Sequence, residues 1–273
     1  MLVRTRQSLQ GSDRELAVFG GRVRSMRFLT RADGLGFSIN DVRVSQGQTL
    51  DLWYKNHWEA NFVISGVGLV EEVTSGAVTP LAPGVIYTVG PLDQHIFRSR
   101  TDLHLVSIFA PALQGDELHD DDGAYVSSGD LPSRQGTMFV RRLDELRAKG
   151  EEKIVANGGA RTLRVLSQKD ELGFSLSDVR IAAGQSNDLW YKNHWEVNYV
   201  VSGEARVTDL NSGKVYPVEP WDLYVVGPND PHRFESLSDV HVISLFDPPL
   251  TGEEVHDSDG VLPASGPIPR GPY

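Results

Sequence analysis

Apolar residues in this chain come in short runs that alternate with polar ones, and helical spacing is rare. Phe37–Val44, Asn61–Ile64, Ile86–Val89 and Leu103–Phe109 are rich in β-branched and aromatic residues. Gly, Pro, Asp and Asn separate them at intervals near the ~8–12 residues typical of β-sandwiches and barrels. Helix is sparse, and Leu143–Ala148, stopped by Lys149-Gly150, is the clearest candidate. The pattern predicts an all-β protein.

That pattern is written twice, at a constant offset of 137 residues. Residues 34–66 and 171–203 agree at 22 of 33 positions without a gap. Even Met1-x-Val3-Arg4 returns as Met138-x-Val140-Arg141. A repeat this long is a duplicated domain, not a solenoid unit. The expected organisation is a first domain over residues 1–125, a linker over 126–137, a second domain over 138–262 and a tail over 263–273. The linker lies in a breaker-rich polar segment, and the tail, with its prolines and glycines, is expected to be extended or disordered.

Both copies centre on one nonapeptide, Asp51-Leu52-Trp53-Tyr54-Lys55-Asn56-His57-Trp58-Glu59, which recurs letter for letter as Asp188 to Glu196. His57, Glu59 and Asn61 occupy every second position, so a strand would carry them on one face. If that face points inward, the charge is buried, and buried charge needs a partner or a metal. The apolar run that follows stops at Ser65-Gly66, and again at Ser202-Gly203. All eight histidines pair across the repeat: His57, His95, His104 and His119 with His194, His232, His241 and His256. His104 and His241 have the opposite strand parity to Ser107 and Phe109, which makes them outward or structural. Trp58 and Trp195 read as packing on the outer face.

Composition narrows the partners. The net charge is −11 over 273 residues, which argues against nucleic acid or an anionic membrane. No cysteine is present, so disulfides, thiolate metal sites and a cysteine nucleophile are excluded. A small molecule is the expected partner and a cytoplasmic location the expected one. There is neither an apolar leader nor a stretch of the ~20 apolar residues a membrane helix needs.

Further along each copy, Pro83-Gly84-Val85-Ile86-Tyr87 leads through Gly90-Pro91 to His95, and Tyr224 through Gly227-Pro228 to His232. Glu59 precedes Gly66, and Glu196 precedes Gly203, by the Glu-x6-Gly spacing of cupins. The resemblance is to two cupin-type β-barrels in tandem, a bicupin, except that Trp53-Tyr54-Lys55 and Trp190-Tyr191-Lys192 stand where cupins carry a His pair. With Tyr-Lys-Asn-His-x-Glu in its place, the chain resembles the ectoine synthases. Phe246-Asp247-Pro248-Pro249-Leu250-Thr251-Gly252-Glu253-Glu254-Val255-His256-Asp257 matches that family's late signature, and residues 109–120 match it more loosely. Arg27 and the segment Asp33 to Ser38 resemble its early one.

The resemblance implies a mononuclear iron(II) site, with another divalent metal as the alternative. Its ligands would be Glu59, Tyr87 and His95 in one copy and Glu196, Tyr224 and His232 in the other. Carboxylate, phenolate and imidazole suit iron better than a closed structural zinc site. Tyr54, His57, Tyr191 and His194 are the implied catalytic residues. Arg27, Asn40, Phe109, Glu117 and His119 are the implied substrate contacts of the first copy, and Arg164, Phe246, Glu254 and His256 those of the second. The family closes N-γ-acetyl-diaminobutyrate to a cyclic amidine with loss of water, so the implied activity is that of a carbon–oxygen lyase. The family is dimeric, and a tandem chain can imitate that dimer or dimerise again.

Three positions depart from the family: Val42 and Val179 for a threonine, Ser107 and Ser244 for a cysteine, and Val23 and Ala160 for a tryptophan. The substrate is therefore N-acetyl-diaminobutyrate or a close analogue. Two other classes stay open on the residues: an iron-dependent cupin oxygenase or isomerase, and a ligand-binding bicupin without catalysis.

Overall fold

The structure is a computed structural model and describes residues 1–155, 158–254 and 261–273. The chain divides into two compact units, one of residues 9–145 and one of residues 1–8 with 146–273. Every strand pair described is antiparallel, as short strands joined by tight turns require.

In the first unit a seven-stranded sheet runs in the order Phe139–Arg142, Val85–Val89, Trp58–Ser65, Leu103–Ala110, Ser38–Val44, Val23–Leu29, Glu15–Val18. A four-stranded sheet runs Thr49–Leu52, His95–Ser99, Gly68–Glu72, Val78–Leu81. The two share one core: Val63, Val89 and Leu105 from the larger meet Val70 and Phe97 from the smaller. Central strands are buried throughout, as in Leu103–Ala110, because both sheet faces are covered. The edge strand Thr49–Leu52 alternates exposed and buried residues instead.

The second unit repeats this plan. Its larger sheet runs Leu2–Arg4, Leu223–Val226, Trp195–Ser202, Val240–Asp247, Ser175–Ile181, Ala160–Leu166, Lys153–Val155. Its smaller sheet runs Ser186–Leu189, His232–Ser236, Ala205–Asp209, Val215–Val218. The units thus cut the chain elsewhere than the sequence repeat does. Phe139–Arg142, which opens the second repeat, pairs with Val85–Val89 in the first unit. Leu2–Arg4, which opens the first, pairs with Leu223–Val226 in the second.

The strands expected from the apolar runs fall on observed ones, except that Phe37 lies just before Ser38–Val44, and the helix Leu143–Ala148 is present. The Ser-Gly stops have a steric reason. Gly66 and Gly203 both have φ of 87°, and a Cβ there would meet the Asp102 or Asp239 carbonyl oxygen at 2.1 or 2.2 Å. The tail has no regular structure but is packed. Trp195 Nε1 donates to the Pro269 carbonyl (3.1 Å), and the Tyr273 ring stands edge-on to Trp195 at 5.1 Å. In the first unit the Arg134 guanidinium covers Trp58 at 5.0 Å. Among the described residues, no helix is long and apolar enough to cross a membrane.

His104 and His241 lie off the cavity walls and bond to buried aspartates. His104 Nε2 is 3.0 Å from Asp41 Oδ2. Asp178, 1% exposed, is bonded by both His241 and Arg147, with Arg180 Nε at 3.5 Å. Burial pushes the Asp178 carboxyl up, but the His241 bond and the charges of His241, Arg180 and Arg147 hold it below the usual range. A depressed carboxylate adds stability above its unfolded value and loses it as pH falls through its folded one.

Asp178→Asn is expected to cost the second unit about 2–4 kcal/mol at neutral pH, because Arg147 loses its buried partner. In urea denaturation the gap to wild type should narrow below about pH 4, where the unfolded chain takes up a proton that the native carboxylate, held lower, does not yet bind. Gly203→Ala should cost at least ~2 kcal/mol by the same measurement, since the left-handed backbone and the Asp239 carbonyl both oppose a Cβ.

Candidate functional site

Register decides which side chains meet inside each barrel. In the first, Asn61 lies opposite Tyr87 on one side and Ser107 on the other, while Glu59 lies opposite Val89 and Phe109. Glu59 and Tyr87 are therefore diagonal neighbours on one sheet face. In the second, Asn198 lies opposite Tyr224 and Ser244, and Glu196 opposite Val226 and Phe246. Each glutamate and tyrosine is buried and faces a cavity inside its own barrel.

His95 and His232 come from the smaller sheets. Each sets its Nδ1 against a backbone carbonyl two residues back, that of Asp93 or Asp230, at 3.0 Å. A ring nitrogen facing a carbonyl carries the proton, which leaves the other as a lone-pair donor. That other atom, Nε2, is buried in both histidines and has no hydrogen-bond partner. The imidazoles stay near the cavities, with ring centroids 6.1 Å from Tyr54 and from Tyr191. Burial lowers the pKa of both histidines.

Burial moves the carboxyls the other way. Burial pushes Glu59 up to about 8, and the neighbouring Asn61 and Ser107 side chains pull it part of the way back down. Glu196 is pushed up to about 7, opposed by Asn198 and the charge of Arg164. A cation beside either would offset the desolvation cost that raises these values. Among the described residues no three His, Cys, Asp or Glu side chains converge, so a three-donor site made from those residues would draw on a tyrosine. The residues fit a metal: an unpartnered imidazole lone pair, a carboxyl and a phenol, all buried.

The nonapeptide supplies the remaining groups. The Tyr54 hydroxyl is 3.1 Å from His119 Nε2, and burial raises the pKa of both Tyr54 and Tyr191 well above the usual value. His57 Nε2 is 2.9 Å from Ser128 Oγ, and His194 Nε2 is 2.9 Å from Ser265 Oγ. In each the second nitrogen, Nδ1, is buried without a partner. Burial brings both histidines down to about 4, so they are neutral at pH 7. Phe109 and Phe246 stand edge-on to these rings at 6.1 and 6.2 Å.

Arg27 is 1% exposed, with Nη1 3.5 Å from Glu117 Oε2 and Nη2 donating to the Glu117 carbonyl at 3.1 Å. The Arg164 Nη1 donates to Ser177 Oγ at 2.5 Å, and both arginines bury an Nε without a hydrogen-bond partner. Glu117 and Glu254 accept the Gly115 and Gly252 amides, each at 2.8 Å. Asn40 is buried on the wall of the first cavity. His256 lies outside the described residues. Sequence reasoning missed Ser128, Ser265 and Tyr125; the serines are marked only by recurring at the repeat offset. The departures from the family pattern all fall on the cavities: Val23, Val42 and Ser107 in the first, Ala160, Val179 and Ser244 in the second.

The chain is similar to the L-ectoine synthases of Shouchella clausii (strain KSM-K16), 42% identical over 42% of this chain and 85% of that protein, and Desulfatibacillum aliphaticivorans, 42% identical over 46% and 96%. In fold it is similar to Lactobacillus farciminis oxalate decarboxylase, with a TM-score of 0.66 at 14% identity, over 92% of this chain and 87% of that one. The expected bicupin architecture is thereby met. Since the ectoine synthase family model matches twice, over residues 1–129 and 138–266, the chain belongs to the ectoine synthase family of hydro-lyases.

Proposed function

We propose that this chain is a metal-dependent cyclodehydratase that closes an N-acylated diamino acid into a cyclic amidine, with one potential site in each barrel. The observation that carries the reading is the unpartnered, buried Nε2 of His95 and His232, set in barrels that also bury a glutamate and a tyrosine. Glu59, Tyr87 and His95 would hold one ion and Glu196, Tyr224 and His232 the other. Iron(II) fits the mixed donor set best. When bound, the ion supplies Lewis acidity toward the amide carbonyl of the substrate.

The chain's own residues would do the rest. Closing the ring joins the free amine nitrogen to the amide carbon. Both amine protons then leave with the carbonyl oxygen as water. His57 and His194, neutral at pH 7, have the free Nδ1 that can take a proton from the amine. Tyr54 and Tyr191 keep their protons because burial raises their pKa, so their hydroxyls can donate to the departing oxygen. The Arg164 guanidinium, with its unpartnered Nε on the cavity wall, suits the carboxylate of an amino acid. Arg27, already held by Glu117, would act in the same way in the first barrel. Phe109 and Phe246 wall off water.

The test is iron content and turnover of N-acetyl-2,4-diaminobutyrate by Glu59→Gln, Glu196→Gln and the double variant. Wild type should bind close to two ions per chain and yield a product about 18 mass units lighter, one water. Each single variant should lose one ion, and the double variant at least ~100-fold in turnover. Full turnover by the double variant would overturn the reading, as would oxygen consumption matched to product.

A further inference from the structure

Each barrel buries an amide nitrogen that its own chain leaves unbonded. Asn61 and Asn198 are 1% and 2% exposed and line their cavities. Among the described residues neither Nδ2 has a hydrogen-bond partner. The carboxyl two residues back along the strand, Glu59 or Glu196, feels the amide but does not meet it in a hydrogen bond. A buried N–H without an acceptor is costly and rare in folded proteins. Here that cost is carried twice, at the same place in two copies.

Register and a serine fix which way the nitrogen points. Asn61 lies directly opposite Ser107, and Asn198 opposite Ser244. In each pair the serine hydroxyl donates to the asparagine Oδ1. With its oxygen held, the amide presents its N–H bonds elsewhere. The opposite flip would turn the amide oxygen toward a carboxylate, which repels it. On the strand to the other side stands Tyr87, or Tyr224. The unbonded N–H therefore belongs to the sheet face that carries the buried glutamate and tyrosine.

We propose that Asn198, and Asn61 at the equivalent place, donate Nδ2–H to the amide oxygen of an N-acyl diamino acid. Ser244 and Ser107 are the positioning residues that hold this donor in place. When the amine nitrogen adds to the amide carbon, the C=O π pair moves onto the oxygen, which gains negative charge. The C–O bond then breaks, and the oxygen leaves as water with the two amine protons. A fixed N–H bonds that oxygen more strongly as its charge grows, so it lowers the barrier more than it tightens binding. Which oxygen is bonded rests on the cyclodehydratase reading; the orientation of the amide does not.

The test replaces both asparagines in one chain, Asn61→Leu with Asn198→Leu, so that every working site is altered at once. The kcat for N-acetyl-2,4-diaminobutyrate should fall at least ~100-fold. A second ligand, 4-acetamidobutyrate, keeps the amide and the carboxylate and lacks the attacking amine. Its binding, read by calorimetry, should weaken only about 3- to 10-fold. Bound iron should stay at the wild-type level, because no proposed ligand is changed. Wild-type kcat in this variant overturns the proposal. A loss of iron in step with activity does so too, since the asparagine would then act through the metal site. The serines supply variants that leave the asparagine untouched. With Ser107 and Ser244 replaced together, kcat should fall from serine through cysteine to alanine, as a hydroxyl gives way to a weak thiol donor and then to none. Alanine equal to serine overturns the positioning role. Wild type that binds 4-acetamidobutyrate more tightly than the leucine variant, yet consumes no N-acyl diamino acid, overturns the cyclodehydratase reading and leaves the donor standing. Wild type that neither binds the one nor consumes the other overturns both.

Discussion

A carboxyl group with almost no water around it is the constraint the rest of each barrel answers. Left alone inside an apolar core, Glu59 or Glu196 would sooner keep its proton than its charge, which is why burial lifts them to about 8 and 7. The other polar groups buried in each barrel fit that condition. The serine donates to the asparagine beside each carboxyl, the phenols stay protonated, and an imidazole presents a lone pair to which no protein group donates. A single cation would satisfy carboxylate, phenol and imidazole together. No apolar substitution could do the same without abolishing the polar wall.

The nonapeptide is the means by which the fold fixes this wall. Trp53 Nε1 donates to the Pro91 carbonyl at 2.8 Å, and Trp190 does the same to Pro228 at 2.7 Å. Lys55 and Lys192 lie over those indoles at 4.5 and 4.2 Å. The asparagine holds the backbone of the segment that closes the cavity, and the histidine holds a serine three residues beyond it. Trp58 and Trp195 fill the space against Gly90 and Gly227, where a Cβ would sit 2.6 or 2.3 Å from the indole. Most letters of the repeat therefore have an identifiable physical task.

Those tasks explain what could be seen in the sequence. Central strands such as Leu103–Ala110 are legible because burial on both faces demands unbroken apolar runs. Glu59, Tyr87 and His95 stand out because polar residues at strand spacing, repeated in a second copy, are hard to explain as surface. The edge strand Val78–Leu81 is less legible: half-exposed and carrying Pro80, it looks like a turn. Ser128 and Ser265 sit in breaker-rich segments whose order comes from tertiary bonds to His57 and His194, so no local periodicity reveals them. The placement of Leu2–Arg4 beside Leu223–Val226 is likewise a long-range pairing that no window of sequence contains.

That pairing gives the two units different histories during synthesis. Residues 9–145 form one unbroken stretch, so every strand of the first unit has been made before the second is half complete. The second must gather its edge strand from the opposite end of the chain, across a loop longer than the first unit itself. A cut at the repeat boundary near residue 137 would yield two fragments of nearly equal length, each lacking the outermost strand of its larger sheet. The duplication is legible as two genes' worth of sequence, but the folded molecule can no longer be divided along that seam.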